Sequence, residues 1–268
     1  MNSTNVFLLT SEWQDARGKN ILIFYGISDE SIPVEFIISN VRPVFFIDRN
    51  ASLDGLSVRF QRKNLNLKSF SGADVDVLYF DTMKDLKKAS EYCKSKNLLT
   101  YETDVDPARR FLMERFINAQ VNVSGTGVTR GKIISFLNPK IKPVEVNPEF
   151  KIVSLDIETG THSNSLYSIA CHVTWQQEEE KIVFMIGESA KKSPGYLKLF
   201  PNEKILIKSF LEWFKECDPD IRIGWHVVGF DLMFLEKKFQ ENEIPFDLGR
   251  GKSKVTLRRG ASGGYFAY

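Results

Sequence analysis

Two carboxylates stand two residues apart in Lys151-Ile-Val-Ser-Leu-Asp156-Ile-Glu158-Thr159, a short apolar stretch rich in β-branched residues. Such a stretch reads as a strand. Side chains alternate along a strand, so Val153, Leu155 and Ile157 share one face, and Ser154, Asp156 and Glu158 share the other. Like charges on one face repel, and burying both without a partner would be costly. A hard divalent cation such as Mg²⁺ or Mn²⁺, which prefers oxygen ligands, would relieve the repulsion. A strand that frays at Asp156 and leaves both acids in water reads equally well from the doublet alone. A third acid, Asp231, falls in the first turn of a helical pattern, where free N–H groups and the helix dipole favour a carboxylate. Taken alone it also reads as an ordinary end-of-helix acid. Together the three would suit phosphodiester hydrolysis, which needs an attacking hydroxide and a stabilised leaving oxygen. Two ions roughly 3.5–4 Å apart can supply both.

The surrounding pattern must position these acids. After the strand at 151–159 come apolar runs at 166–175 and 181–187, joined by the polar Gln176-Gln-Glu-Glu-Glu180, which reads as a solvated hairpin turn. Asn202 caps a helix in which Leu206, Phe210, Trp213 and Phe214 recur on one face, and Asp218-Pro-Asp ends it. Residues 221–225 read as a strand, and a helix from 230 turns Leu232, Leu235 and Phe239 inward. The order is three strands, helix, strand, helix.

Upstream, strands are expected at 6–9, 20–26, 32–39, 43–47, 75–80 and 98–101. A helix over 82–94 has Thr82 as N-cap, Asp85 in the capping-box place, and Leu86, Ala89 and Cys93 as its inner stripe. Asp106-Pro107 opens a second helix carrying Phe111, Leu112, Arg115 and Phe116 at helical spacing. Ser124-Gly-Thr-Gly127 reads as a hairpin turn between strands near 121 and 133, and the proline-rich 138–148 as an interdomain linker. The expected division is a mixed N-terminal domain over 1–147 and a second domain over 148–268, α+β followed by α/β.

Asp156-Ile-Glu158-Thr159 at a strand end resembles the first motif of the proofreading-type 3′→5′ exonucleases. Gly224-Trp-His-Val-Val-Gly-Phe230-Asp231 resembles the second, whose usual form is Asn, three residues, then Phe-Asp. Around them, Tyr101-Glu-Thr-Asp-Val-Asp106, Arg110-Phe-Leu-Met-Glu-Arg-Phe-Ile117, Asp218-Pro-Asp-Ile-Arg-Ile-Gly-Trp225 and Asp247-Leu-Gly-Arg250 resemble the amino-terminal third of family B DNA polymerases. The resemblance is spread over residues 101–250 and is weak before about residue 100. It implies that the second domain is part of a ribonuclease-H-like exonuclease domain. It also implies two divalent ions, with Asp156 bridging both, Glu158 on the water-activating one and Asp231 on the second. Phe230, Thr159 and His226 would face the nucleic acid, although Phe230 also reads as a core residue. His226 stands where the motif usually has Asn; it can still donate a hydrogen bond, but its charge depends on pH.

The stretch 248–268 carries Arg250, Lys252, Lys254, Arg258 and Arg259 without an acid, and reads either as a solvated loop or as a phosphate-contacting arm. The family's third motif, Tyr, three residues, then Asp, does not follow Asp231. The expectation is therefore an amino-terminal fragment cut within its exonuclease domain, digesting poorly by itself. The parent would be a DNA polymerase of replication or repair, acting on single-stranded and primer–template DNA with deoxynucleotides, and meeting a sliding clamp through other parts. Two other classes stay open: a stand-alone nuclease acting on RNA, and a non-catalytic nucleic-acid-binding module.

Composition narrows the field further. With 43% hydrophobic residues the chain can fill real cores, and a net charge of +2 excludes a polycation that binds nucleic acid by bulk charge. Cys93, Cys171 and Cys217 lack zinc spacing and read as buried thiols of a cytoplasmic protein. No basic-then-apolar leader is present, and the longest apolar run, 21–27, is far too short to span a bilayer.

Overall fold

A computed structural model of the chain describes residues 2–161, 163–188, 193–250, 255, 257–259 and 265–267. The chain is a mixed α/β protein with several sheets and few helices. It divides into two compact units, Met1–Pro148 and Glu149–Tyr268. Among the described residues, no helix is long and apolar enough to cross a membrane.

The first unit runs β1 (Asn2–Ala16), β2 (Lys19–Ser28), β3 (Pro33–Ser39), β4 (Val44–Asp48), β5 (Gln61–Lys68), β6 (Asp74–Tyr79), α1 (Met83–Ser95), β7 (Thr100–Tyr101), α2 (Pro107–Met113), β8 (Gln120–Gly125), β9 (Gly127–Arg130), β10 (Ile133–Leu137) and β11 (Lys140–Pro143). These form a seven-stranded sheet, β11-β8-β1-β2-β3-β10-β9, and a four-stranded sheet, β5-β6-β4-β7. At the start of α1 the Thr82 hydroxyl accepts the Asp85 N–H and donates to the Asp85 carboxylate. Asp15 on β1 accepts the next two free amides, Met83 and Lys84, and so ties helix to sheet.

Several expectations for this unit need correction. The stretch 138–148 is not all linker, because β11 pairs antiparallel with β8. Pro143, the proline within β11, is tolerated because the strand lies at the sheet edge, where no further ladder bond is needed. Ser124–Gly127 is not a hairpin turn. The chain changes neighbours at Thr126, and the turn that joins β9 to β10 contains Gly131, at φ 62°. Strand β5 carries no apolar pattern to announce it, being a polar edge strand exposed along nearly its whole length. Phe116 does not extend the inner stripe of α2: it is 89% exposed with φ 53°, and Ile117 is buried instead.

The second unit runs β12 (Ile152–Thr159), β13 (Leu166–Trp175), β14 (Glu178–Ile186), β15 (Leu197–Phe200), α3 (Glu203–Cys217), β16 (Ile221–Ile223), a π-helical turn (Val228–Leu232) and α4 (Met233–Glu241). A short hairpin, β17 (Leu257–Arg259) with β18 (Tyr265–Ala267), follows. The sheet order is β15-β14-β13-β12-β16; β16 runs parallel to β12 and β15 parallel to β14. Strand β15 lies beyond the sequence reading, and Glu178–Glu180 belong to β14 rather than to the turn, which is Gln176-Gln177.

One core cluster joins Val153, Leu155 and Ile157 of β12 to Leu206, Ile207, Phe210 and Phe214 of α3 and to Leu232, Leu235 and Phe239. Each such side chain contributes roughly 1.5–3 kcal/mol by burial. That fixes which face of β12 looks inward. Helix α3 starts at Asn202, whose side-chain oxygen accepts the Ile205 N–H at 3.1 Å. Asn202→Ala is expected to lower the stability of this unit by about 1 kcal/mol, read as a shifted urea midpoint at unchanged slope.

Candidate active site

Strand β12 does not fray at its acids. Asp156 pairs with Ala170 and Glu158 with Ser168, and both acids are exposed on the face opposite the core. A bulge follows between Glu158 and Thr159, where pairing steps from Ser168 to Leu166. Bulges of this kind re-aim side chains at strand ends. The desolvation penalty anticipated for the doublet therefore falls elsewhere, on Asp231.

The parallel pairing of β16 with β12, Ile152 to Ile221 and Ser154 to Ile223, brings the carboxyl ends of both strands to one edge. Gly224 continues the approach: a β-carbon there would sit 2.5 Å from the Leu155 carbonyl oxygen, so no side chain fits. His226 then adopts φ 56°, a left-handed conformation in which Asn, Asp and His are enriched. The family motif's usual Asn and this chain's His both suit that backbone.

Asp231 sits within the π-helical turn ahead of α4, not in the first turn of a regular helix. The Leu232 N–H reaches back five residues to the Val227 carbonyl at 2.8 Å. Asp231 is only 1% exposed. Its Oδ1 accepts the Ile157 N–H at 3.2 Å, which ties it to β12 between the two exposed acids. Its Oδ2 is buried and has no donor among the described residues. Burial pushes this carboxyl above its ordinary value of 3.8, and the charge of Asp156 adds to the push; the Asp231 and Ile157 amides and His226 pull the other way.

The structure thus brings Asp156 and Asp231 together, while Glu158 lies roughly 7 Å further along β12. Among the described residues, no group of three or more His, Cys, Asp or Glu is gathered closely enough to hold an ion as it stands. The donor set nevertheless suits a hard cation. It is all carboxylate, and the buried Oδ2 of Asp231 is an acceptor that no donor among the described residues satisfies.

The flanking residues divide. Phe230 is 47% exposed, with its ring 6.3 Å from that of Phe234. His226 is exposed and Thr159 half-buried. Arg250 is not available as a free phosphate contact. Its Nε donates to Asp218 at 2.7 Å and its Nη2 to Asp220 at 2.6 Å, because two acids after α3 offer it a fork-like pairing that a solvated loop would lack. Lys252 and Lys254 lie outside the described residues. His172 faces Glu179 at 3.2 Å, and burial pushes all three cysteine thiols up. Trp225, which had no role in the sequence reading, is 93% exposed beside this edge. Its apolar type after a strand gave no hint of that.

The raised carboxyl has a consequence for stability. The folded chain holds the Asp231 proton more tightly than the unfolded chain does. Stability therefore falls as pH rises from the ordinary aspartate value through the raised one, and stays lower above it. Asp231→Asn keeps an acceptor for the Ile157 N–H and removes a buried charge. In chelator it is expected to melt above the unsubstituted protein near pH 7, the gap closing towards about pH 4. Calorimetric scans across that range check this, and a lower melting temperature for the variant at pH 7 would contradict it.

Residues 98–265 match the DNA polymerase family B, exonuclease domain. The chain is 31% identical over 261 residues to DNA polymerase II of Escherichia coli (strain K12), a match covering 94% of this chain and 32% of that protein. It is 27% identical over 213 residues to a DNA polymerase of Thermococcus gorgonarius, covering 78% of this chain and 24% of that one. The family B DNA polymerase of Pyrobaculum calidifontis has a similar fold, with a TM-score of 0.76 at 16% identity over 98% of this chain and 35% of that chain. The chain thus spans about a third or less of the length of these relatives.

Proposed function

Because this chain belongs to the DNA polymerase family B, exonuclease domain, we propose that residues 148–268 carry a 3′→5′ proofreading site of a DNA-directed DNA polymerase, preceded by that polymerase's N-terminal domain. The observation that carries the reading is the bond from the Ile157 N–H to Asp231, which joins the third acid to the strand bearing the other two. Asp156, Glu158 and Asp231 would hold Mg²⁺ or Mn²⁺. Two such ions, when bound, would help generate an attacking hydroxide from water and offset the charge on the departing 3′ oxygen.

The chain's own residues prepare the site. The β12 ladder fixes the backbone of Asp156 and Glu158. The Ile157 amide orients Asp231, leaving Oδ2 as a buried acceptor with no donor among the described residues. Phe230, half-exposed, would offer its ring to the end of the nucleic-acid strand, and Thr159 and His226 would contact that strand too. The whole protein would extend primers on template DNA with deoxynucleotides, in replication or repair and in the cytoplasm. A sliding clamp would bind through other parts.

A 5′-labelled DNA strand and its RNA counterpart, each incubated with this protein and Mg²⁺, test the reading. At most a faint ladder of 3′-shortened products from DNA is expected, since the family's third motif does not follow Asp231. Faster digestion of RNA would favour a stand-alone ribonuclease of the same fold. One further alternative is a non-catalytic nucleic-acid-binding module. Calorimetry with Mn²⁺ separates that alternative, since binding heat that is lost in Asp156→Ala would count against it.

A further inference from the structure

We propose that the buried ion pair of Glu203 with Lys238 is a positioning device: it fixes the end of β12 and so sets Glu158 for a divalent ion. The inference rests on the metal-dependent nuclease reading above and adds two residues outside the three acids. Glu158 is the acid that most needs such help. The bond from the Ile157 amide to Asp231 joins those two elements one residue before it. Glu158 is also the last residue of β12 ahead of the bulge. It pairs with Ser168, and Thr159 then pairs with Leu166, which leaves Tyr167 unopposed. A ladder interrupted in this way holds its strand end less firmly.

The support comes from two helices. The Leu166 N–H donates at 2.7 Å to Oε1 of Glu203, the first residue of α3. Lys238 of α4 donates from Nζ to Glu203 Oε2 at 3.2 Å and pairs with Glu241 Oε2 at 3.1 Å. The other oxygen of Glu241 accepts the side-chain amide of Asn164 at 2.7 Å. The return from β12 to β13 is thus held at Asn164 and at Leu166. Helix α4 is also the helix into which the turn bearing Asp231 leads. One charged pair therefore sets the end of β12 against the element that carries the third acid.

Packing alone does not call for a charge here. Lys238 is 3% exposed and shares the buried face of α4 with Leu235 and Phe239, where an apolar side chain would fill the space. Desolvating an ammonium and a carboxylate offsets most of their attraction, so a buried pair adds little over an apolar pair of similar size. What the pair supplies is direction. With both oxygens bonded, the Glu203 carboxylate keeps one orientation, and that orientation fixes the Leu166 amide opposite Thr159. Removing groups that orient the ligands of a metal ion commonly weakens its binding about 10–100-fold.

Calorimetric titration of this protein with Mn²⁺ tests the assignment. Glu203→Ala is expected to weaken Mn²⁺ binding about tenfold, and Glu203→Gln, which keeps an acceptor for the Leu166 N–H, to recover most of the loss. Made together with Glu158→Ala, the same Glu203→Ala is expected to cost less than about twofold more, because the acid it positions is gone. A pair with a merely structural role would not produce that coupling. Urea melts show whether each variant folds. Where Glu203→Ala does not, Glu203→Leu with Lys238→Met, which strands neither charge of the pair, takes its place in the same cycle. Equal weakening with and without Glu158, or no weakening at all, overturns the positioning role and leaves the metal reading intact. No Mn²⁺ binding by the unsubstituted protein overturns the metal reading and this proposal with it.

Discussion

Made in the full-length enzyme, Asp156→Ala is expected to slow 3′-end digestion at least about a thousandfold, equivalent to about 4 kcal/mol of transition-state stabilisation, while leaving the fold intact. The two halves of that expectation have separate causes. Asp156 would help hold the divalent ions, so its removal takes away a carboxylate ligand. Yet the side chain points away from the core and is exposed, and exposed substitutions of this kind usually change stability by no more than about 0.5 kcal/mol. Losing its charge also removes one of the influences that hold the Asp231 carboxyl high. Digestion assays run beside urea melts distinguish this from simple unfolding. If the variant keeps more than a tenth of the rate, Asp156 is not a ligand of the reacting centre.

Phe210→Ala should fail in the opposite way. Phe210 is completely buried on α3, with its ring 5.8 Å from Phe184 in an edge-on contact, 5.7 Å from Phe214 and 6.4 Å from Trp213. Deleting a buried phenylalanine ring costs about 3–5 kcal/mol, since the cavity collapses only in part. Against a typical domain stability of about 5–15 kcal/mol, that is a large share. Tryptophan fluorescence during a urea titration reports it well, because three of the four tryptophans lie in the second unit. A midpoint shift worth less than about 1 kcal/mol would show that Phe210 is not central to this core. Digestion by the variant should weaken with warming as the unit melts, unlike the temperature-independent loss expected for Asp156→Ala.

What could be read from the sequence, and what could not, follows from how each signal is encoded. The period-two alternation of residues 151–159 fixed both faces of β12, because one face is wholly apolar. Thr82, Asp106 and Asn202 announced their helices through short side chains that reach the next amides. The strands that escaped, β5, β9, β11, β15 and the pair β17–β18, lie at sheet edges, where pairing is by backbone and side chains need not be apolar. The ion pairs of Arg250 escaped because Asp218 and Asp220 are about thirty residues away in the chain and meet it only in the folded unit. The acids themselves were visible as residue types. Their unequal burial was not, since the sequence suggested a shared charge problem and the fold concentrates it on Asp231.

The π-helical turn at Val228–Leu232 adds a constraint of a different kind. A hydrogen bond spanning five residues holds one more residue in that turn than an α-helix would. Each residue of an α-helix advances the chain by about 100°. Removing a single residue from the turn would let it relax to ordinary helix, and one segment would then rotate by about that angle against the other. Either Asp231 would swing away from the Ile157 amide, or Leu235 and Phe239 would leave the core. The site therefore depends on the length of this turn as well as on its residues. Substitutions one at a time would leave that dependence unseen. A descendant that lost one codon here would lose the alignment of its acids while every acid remained in the chain.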